Sequence, residues 1–537
     1  MPLITIDGKQ IEVEKGTTVI QAAEKLNIDI PRYCYHPGLS IVGQCRICLV
    51  EIEKMPKLQV ACYSPATDGM VVHTNNDRVL KARKQVLEFL LLNHPIDCPV
   101  CDQAGECWLQ EYYMRHGLYD SKMVEDKVKK HKALDIGPHV ILDSERCILC
   151  TRCIRFCDEV SKSHELGMFN RGDHAELLPY PGRRLDNPYS ANTVDICPVG
   201  ALTEKDFRFK ARVWYLSETD SICPGCSTGC NISIHTNKER THHAEGKPIV
   251  RLKPRFNASV NKWWMCDFGR YGFESTQSEA RLLAPAMRQG KEWVTTTWEV
   301  TLEAIAGKIN HAIKEKQGIG AWLSPQMTNE DLFVAKKLFS DFLKNSHTAL
   351  WVEPKEPPYS DNFLIKTDKN PNTRGAAALG LPADMEASKQ LFKKAWESKL
   401  SVLFIFYHEL SVSFELKSLL TALGNVPTII FVGTNKNGIS DLAHFQLPAA
   451  AWTEKDGTFT NHAGRVQRIR QAVAPKGDAR AEWQILKRLS KLLGLAIPYV
   501  EVEDIFNDLA REVPSFAGMS YEGIGASGLL LTVDGKK

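Results

Sequence analysis

A chain of 537 residues, 43% of them hydrophobic and 24% charged, can bury several cores, and its length predicts roughly three to five domains. Its 67 basic and 64 acidic residues leave a net charge of +3, so bulk charge provides no attraction to nucleic acid or anionic lipid. The longest apolar runs, such as 89–92 and 402–407, fall well short of the roughly eighteen residues that a membrane-spanning helix needs. We therefore expect no nucleic-acid partner, and membrane association only through partner subunits.

The first segment predicts a small β-grasp. Residues 3–6 and 9–13 are two short strands around Asp7-Gly8, which is a strong hairpin pattern. Apolar residues then recur at helical spacing from Val19 to Leu26. Two strands, a helix and a cysteine-bearing loop are the layout of a [2Fe–2S] ferredoxin, although the cysteine spacing departs from the plant type.

The cysteines define the candidate sites. All sixteen lie between Cys34 and Cys266, and fifteen of them, with one histidine, form four sets of four candidate ligands. The loop around Gly43 can wrap a small cluster and point backbone N–H groups at its sulfurs. The first set consists of Cys34, Cys45, Cys48 and Cys62.

The second set contains an imidazole in place of one thiolate. An amphipathic pattern over 77–93 predicts a helix that brings His94 to the site. A lone histidine after a helix is usually solvated, but the three cysteines that follow so closely favour ligation. Because a neutral imidazole replaces a negative thiolate, this cluster should be easier to reduce than an all-cysteine equivalent. The set consists of His94, Cys98, Cys101 and Cys107.

The third set follows a charged linker at 121–132. Its C-x2-C-x2-C triplet is typical of a bacterial ferredoxin and needs a distant fourth ligand, because three thiolates leave one iron of a cubane unbound. The insertion before that ligand, including 179–184, predicts irregular loop. We interpret the leftover Cys157 as a buried, unligated cysteine. The set consists of Cys147, Cys150, Cys153 and Cys197.

The fourth set, considered alone, is compatible with either zinc or an iron–sulfur cluster. Close cysteine pairs also make structural zinc sites, whereas the triplet of the third set is unusual for zinc. Disulfides are disfavoured because residues 1–9 show no secretory pattern, and a reducing cytosol keeps thiols free for metal. The set consists of Cys223, Cys226, Cys230 and Cys266.

The chain after Cys266 contains no cysteine. It alternates helical patterns, such as 298–313, with apolar β-rich runs at 402–406 and 428–432, as α/β layers do. No Ser-His-Asp or paired-carboxylate arrangement stands out. We therefore expect no complete active site, and no catalytic residue, on this chain.

Taken together, the motifs resemble one family. Residues 93–107 are most similar to the His/Cys3 cluster motif of the large iron–sulfur subunit (the G subunit) of proton-pumping NADH:quinone oxidoreductase, respiratory complex I, in its bacterial short form. Residues 255–257 and 264–267 resemble the family's approach to the last ligand of the fourth set. Residues 453–461 and 464–467 are similar to the molybdopterin-oxidoreductase fold.

The resemblance implies an α+β multidomain fold and an electron relay. The implied cofactors are one [2Fe–2S] cluster, on the first set, and three [4Fe–4S] clusters. No molybdopterin is expected, because the last domain is short and lacks a cysteine for molybdenum. The expected segments are a [2Fe–2S] ferredoxin domain at 1–78, a His/Cys3 cluster segment at 79–120, a ferredoxin-like [4Fe–4S] domain at 136–210, a [4Fe–4S] molybdopterin-oxidoreductase-type domain at 216–272 and a truncated α/β molybdopterin-oxidoreductase-like domain at 273–537.

The implied function is transfer of single electrons from an NADH/FMN-binding partner subunit towards quinone. The implied location is peripheral, on the cytoplasmic side of the inner (plasma) membrane, with other peripheral-arm subunits as partners. The resemblance also implies that the cluster of the fourth set lies away from the main electron path. The alternatives are an iron–sulfur subunit of a soluble NAD-linked formate dehydrogenase or hydrogenase, and a zinc-bound scaffold without a redox role.

Overall fold

The computed structural model describes residues 1–117, 120–170, 172–240, 242–344, 346–355, 358–381, 383–410 and 414–532. It contains two compact units, the first ending at Leu216 and the second beginning at Ser217. The predicted segments 79–120 and 273–537 extend over residues outside the described ones, including 118–119 and 533–537. Within the described ranges, no helix is both long and apolar enough to cross a membrane.

The first unit begins with a five-stranded mixed sheet. Its strands are β1 (Leu3–Ile6), β2 (Lys9–Glu12), β3 (Leu49–Ile52), β4 (Gln59–Val60) and β5 (Val71–His73), in the order β2-β1-β5-β3-β4. β1 pairs parallel with β5, and the other pairs are antiparallel. Asp7 and Gly8 both have positive φ, as a tight two-residue hairpin requires. Helix α1 (Val19–Lys25) packs its buried face on this sheet, which confirms the predicted β-grasp.

Short elements surround the next two ligand sets. Helix α2 (Asp77–Leu92) has its N-terminus capped by the Asn76 side chain, which accepts from the Val79 N–H. The other elements are α3 (Trp108–His116), β6 (Leu134–Asp135), β7 (Val140–Leu142), α4 (Arg152–Arg155), β8 (Leu166–Phe169), β9 (Glu176–Pro179), α5 (Asn192–Asp195) and β10 (Leu202–Glu204). The hairpin of β8 and β9 lies in the insertion that the sequence analysis predicted as irregular, so that expectation was wrong before residue 180.

The second unit starts with a three-stranded sheet and continues into a larger α/β domain. Its strands are β11 (Leu216–Ile222), β12 (Asn231–Asn237), β13 (Ile249–Pro254), β14 (Ala286–Gln289), β15 (Glu292–Thr295), β16 (Gly318–Leu323), β17 (Ser346–Leu350), β18 (Leu400–Phe406), β19 (Thr428–Gly433), β20 (Phe445–Pro448), β21 (Gly457–Thr460), β22 (Arg465–Ile469) and β23 (Leu529–Leu530). Its helices are α6 (Asp267–Tyr271), α7 (Glu274–Gln277), α8 (Trp298–Lys314), α9 (Asn329–Ala335), α10 (Thr373–Ala378), α11 (Met385–Trp396), α12 (Leu416–Gly424), α13 (Gly438–Leu442), α14 (Glu482–Leu492), α15 (Val502–Glu512) and α16 (Tyr521–Ile524).

A seven-stranded sheet forms the centre of this domain. Its order is β15-β14-β20-β19-β18-β16-β17, with parallel pairing from β20 to β17 and an antiparallel hairpin at the other edge. Alternate residues of β18 contribute to two hydrophobic cores: Phe404 to one, Leu403 and Ile405 to the other. Helices therefore cover both faces of the sheet, as the predicted α/β layering requires.

A polar cluster is buried inside this domain. Lys455 donates to Asp331 at 2.8 Å and to Glu482 at 2.6 Å, so its ammonium group is paired with two carboxylates. The Glu330 carboxylate, by contrast, is hydrogen-bonded only to neutral groups in these contacts. It accepts from the N–H and hydroxyl of Thr458 and from the Tyr521 hydroxyl at 2.9 Å. Burial raises the pKa of Glu330 to about 7. A buried carboxyl without a countercharge holds its proton, so this group links stability to pH.

Glu330→Gln should remove part of the pH dependence of stability. The pKa of Glu330 lies near 7 in the folded chain and at its ordinary value of 4.5 when unfolded, so its contribution is present below pH 4.5 and is lost as pH rises through 7. Between pH 5.5 and 8.5 the wild type should lose about 2 kcal/mol more unfolding free energy than the variant. Anaerobic urea unfolding at several pH values measures this difference. Glu303→Gln, at an exposed position of α8, is the control; equal pH slopes for wild type and Glu330→Gln would contradict the prediction.

Candidate metal centres

The first set is assembled by one loop and one strand end. Cys34, Cys45 and Cys48 lie in the segment between α1 and β3, and Cys62 follows β4. The thiols are close enough for hydrogen bonds with one another, and these bonds, followed by burial, raise the pKa of Cys62. The backbone N–H of Cys34 points at the sulfur of Cys45, 3.5 Å away. The four predicted ligands therefore meet in one site.

The second set lines a cavity of about 510 Å³. Helix α2 ends at Leu92 and leads directly to His94, while Cys107 is the residue that precedes α3. Burial, with a smaller effect from the Arg146 charge, lowers the pKa of His94 to about 4. The imidazole is therefore neutral at pH 7 and has a lone pair for a metal. His94, Cys98, Cys101 and Cys107 all line this cavity.

The backbone of Gly200 lies close to the thiol of Cys101 in the second site. A Cβ atom at Gly200 would lie 2.1 Å from the sulfur of Cys101, so only glycine leaves room for this thiol. The Asp97 carboxylate pairs with Arg146 at 3.0 Å and with Lys132 at 2.6 Å. These ion pairs fix the loop between the histidine and the first cysteine of the set.

The third set encloses a narrow pocket lined by Cys147, Cys150, Cys153 and Cys197. The backbone N–H of Leu149 donates to the sulfur of Cys147 at 3.4 Å. Leu149 and Thr151 have φ values of 55° and 62°, so the chain turns sharply between the ligands. Burial raises the pKa of Cys147 and of Cys197 to about 12. Such thiols need nearby positive charge, such as iron, to ionise.

Cys157 lies outside this ligand set. It is fully buried and does not line the pocket of the triplet. Burial and the charge of Glu165 raise its pKa to about 12, and its thiol forms a hydrogen bond with Ser163. Its interpretation as an unligated cysteine remains a prediction.

The fourth set lies in the second unit. Three of its cysteines occupy the turn between β11 and β12, and Cys266 directly precedes α6. The Cys230 thiol lies near the other three thiols, and burial raises its pKa strongly. Backbone N–H groups of Gly225 and Gly269 donate to the sulfurs of Cys223 at 3.4 Å and Cys266 at 3.3 Å. The four cysteines of the fourth set thus lie close together, and their role as ligands of one cluster stays a prediction.

The donor chemistry of all four sets fits iron–sulfur clusters. Within the described ranges, no group of three or more His, Cys, Asp or Glu side chains is arranged to hold a single metal ion. Cysteine thiolates, with histidine in place of some of them in certain clusters, are the protein ligands of iron–sulfur clusters. N–H groups directed at cysteine sulfurs are among the features that tune such clusters.

Contacts that could not be predicted from the sequence join the candidate sites of the first unit. One hydrophobic core contains Cys34, Cys107 and Cys150, a candidate ligand from each of three sets. The side-chain amide of Gln44 donates to the carbonyl of Leu149 at 2.8 Å, which links the loops of the first and third sets. No local pattern in the sequence reveals these contacts, because each joins residues far apart in the chain.

Comparison with protein-family models and with curated proteins is consistent with this organisation. The matching models are a 2Fe-2S iron-sulfur cluster binding domain at 3–77, an NADH-ubiquinone oxidoreductase-G iron-sulfur binding region at 83–122, an NADH-quinone oxidoreductase subunit 3 ferredoxin-like domain at 137–203, a molybdopterin oxidoreductase Fe4S4 domain at 216–278 and a molybdopterin oxidoreductase model at 281–363 and 369–492. The G subunit of NADH-quinone oxidoreductase from Rickettsia bellii is 32% identical, over 96% of this chain and 90% of its own length. The chain belongs to the family of NADH-quinone oxidoreductase G subunits. The mitochondrial NADH-ubiquinone oxidoreductase 78 kDa subunit of Candida albicans is 31% identical, over 95% of this chain and 85% of its own.

Membership of this family accounts for the mixed fold, with its ferredoxin-type, [4Fe–4S] and molybdopterin-oxidoreductase domains. Among solved structures, an NAD⁺-reducing [NiFe]-hydrogenase chain is 31% identical over 40% of this chain and 91% of its own, with a TM-score of 0.36. That score is too low to carry an argument about function. The alternative of a formate dehydrogenase or hydrogenase subunit is not favoured, because the relatives that match nearly the whole chain are subunits of NADH-quinone oxidoreductase.

Gly200→Ala should empty the second site selectively. The added methyl group would lie 2.1 Å from the sulfur of Cys101 and force that ligand out of place. We expect a loss of about four iron atoms per chain, one cubane, while the EPR signals of the other centres remain. Gly307→Ala is the control, because a Cβ there meets nothing within 4 Å. Full iron content in Gly200→Ala would show that this glycine does not shape the site.

Proposed function

We propose that this chain is the iron–sulfur electron-relay subunit of a proton-translocating NADH:quinone oxidoreductase. The observation that carries the proposal is that each of four ligand sets is gathered locally, in a chain of the G-subunit family. Bound clusters accept and release single electrons. In this proposal the enzyme activity belongs to the assembled complex, and this chain contributes the relay rather than a complete active site.

The work of the protein residues is to hold the ligands, exclude water and set the local charge. Potentials of such clusters span roughly −700 to +450 mV and depend on net charge, hydrogen bonds to sulfur and burial. The neutral His94 removes one negative charge from the second centre. N–H groups directed at sulfur, as at Cys147, stabilise the negative charge that a cluster gains on reduction, which also favours the reduced form.

The proposed cofactors are one [2Fe–2S] cluster and three [4Fe–4S] clusters, bound by the four sets in chain order. We propose that Cys157 binds no metal and that the domain after residue 272 carries no molybdopterin. The domain limits given from the sequence, 1–78, 79–120, 136–210, 216–272 and 273–537, are part of this proposal.

The proposed partners are other peripheral-arm subunits of the complex, including the NADH/FMN-binding subunit, and no nucleic acid. The relatives are named as subunits of NADH-quinone or NADH-ubiquinone oxidoreductase, which supports a multisubunit assembly. The proposed location is peripheral, on the cytoplasmic side of the inner (plasma) membrane, held there by partner subunits.

The metal content of the whole chain tests the cofactor assignment. Anaerobically purified protein should contain about fourteen iron atoms and matching acid-labile sulfide, from one [2Fe–2S] and three [4Fe–4S] clusters. Iron and sulfide analysis, with low-temperature EPR of the dithionite-reduced sample, gives the count. Zinc with little iron would instead support the scaffold alternative.

Two cysteine substitutions separate the main path from the fourth centre. Cys101→Ala should abolish electron flow from NADH to quinone in the assembled complex, because it removes the second centre from the relay. Cys230→Ala should remove one cubane yet leave much of the flow. The rate of NADH-driven quinone reduction, with EPR showing which centre is lost, measures both variants. Equal losses of rate would refute the distinction.

A further inference from the structure

Two arginines of α4 are buried with no carboxylate beside them. Arg152 is 2% exposed and Arg155 is 8% exposed. Within the part of the chain that the structure describes, no Asp or Glu oxygen lies within 4 Å of either guanidinium. A buried cation is unfavourable unless opposite charge compensates it. The opposite charge must therefore come from other groups in this region.

Arg152 contacts a neighbour of each candidate site in the first unit. It donates to the carbonyls of Tyr35 at 2.6 Å and Ile196 at 3.0 Å. Its guanidinium carbon also lies 4.6 Å from the ring centroid of Trp108. These three residues directly adjoin ligands of the first, third and second sets, respectively.

Arg155 joins the loops of the first and third sets. It donates to the carbonyl of Cys34 at 2.5 Å and to that of Cys150 at 3.4 Å, and also to the carbonyl of Ser40. Both arginines thus hold backbone carbonyls of these loops. Cys34 and Cys150, whose carbonyls Arg155 holds, and Cys197, which follows Ile196, become negative when their thiols bind iron.

An iron–sulfur core bound by four thiolates is a net anion, and it gains a further negative charge when it is reduced. A cation held nearby in a dry environment therefore favours the reduced form. We propose that Arg152 and Arg155 are the buried countercharge of the first and third centres, fixing their ligand loops together and raising the potentials at which both centres are reduced. This inference rests on the proposed ligand sets.

Arg152→Gln tests the proposal through redox potentials rather than activity. In a redox titration of the anaerobically purified full chain, followed by EPR, the reduction equilibria of the first and third centres should shift about tenfold towards the oxidised form. For one electron this is a midpoint potential about 59 mV lower. The second centre should shift less, because it is reached only through the Trp108 ring.

Arg46→Gln is the matched control. Arg46 lies between Cys45 and Cys48 but is exposed, so water and salt screen its charge. Loss of this charge should shift the reduction equilibrium of the first centre by less than about threefold. Arg152→Lys keeps the charge and should hold both potentials close to those of the wild type. Arg155→Gln should lower the same two potentials, and it serves as the test if Arg152→Gln loses its clusters.

Three results would overturn the proposal. The midpoint potentials of the first and third centres could stay unchanged in variants that retain all EPR signals, or the potentials of all three centres could shift equally. The third result is an effect of Arg152→Lys on these potentials as large as that of Arg152→Gln. Absence of the binuclear and third-site signals from the wild type would instead refute the ligand sets themselves. The two failures are therefore distinguishable.

Discussion

Ionising buried cysteine thiols is the constraint on which the rest of this structure depends. Burial, with a smaller effect from the neighbouring Cys150, raises the pKa of Cys147 and of Cys197 to about 12, so without added positive charge these thiols stay protonated at neutral pH. Iron supplies the charge that draws the protons off, and the resulting anion must then be stabilised by its surroundings. Backbone N–H groups and buried guanidinium groups are the means that this chain offers for that purpose.

The same constraint explains why the sites of the first unit share one core. Cys34, Cys107 and Cys150 belong to different sets yet pack with the same apolar side chains, among them Tyr33 and Leu87. Apolar packing excludes water, which would weaken every electrostatic interaction around a centre. A shared core also keeps the proposed centres at fixed positions, as transfer of single electrons between them requires.

Much of this organisation could be predicted from the sequence, because the decisive patterns are local. Asp7-Gly8 marked the first hairpin, and the periodicity over 77–93 located α2 to within one residue. The residues that ligand spacing grouped as the second and third sets each line one pocket, and their role as ligands stays a prediction. Each pattern reflects a short-range rule of turn geometry, helical period or metal ligation.

The features that escaped prediction depend on contacts between distant parts of the chain. Arg152 follows the third set's second cysteine in sequence, but nothing local indicates that its guanidinium reaches the carbonyl of Tyr35. The burial of Lys455 between Asp331 and Glu482 likewise needs three separate segments to come together. In a sequence these residues look like ordinary surface charges, because charged side chains are mostly exposed.

The long separation between the last ligand of a set and the others also imposes an order of events during synthesis. The first proposed set is complete once Cys62 has left the ribosome, whereas the third set waits for Cys197 and the fourth for Cys266. Chains emerge from the N-terminus at roughly 5–20 residues per second, and domains generally fold as units. With the proposed ligand sets, iron delivered to a nascent chain meets all four residues of the first set while the later thiols are still unpartnered.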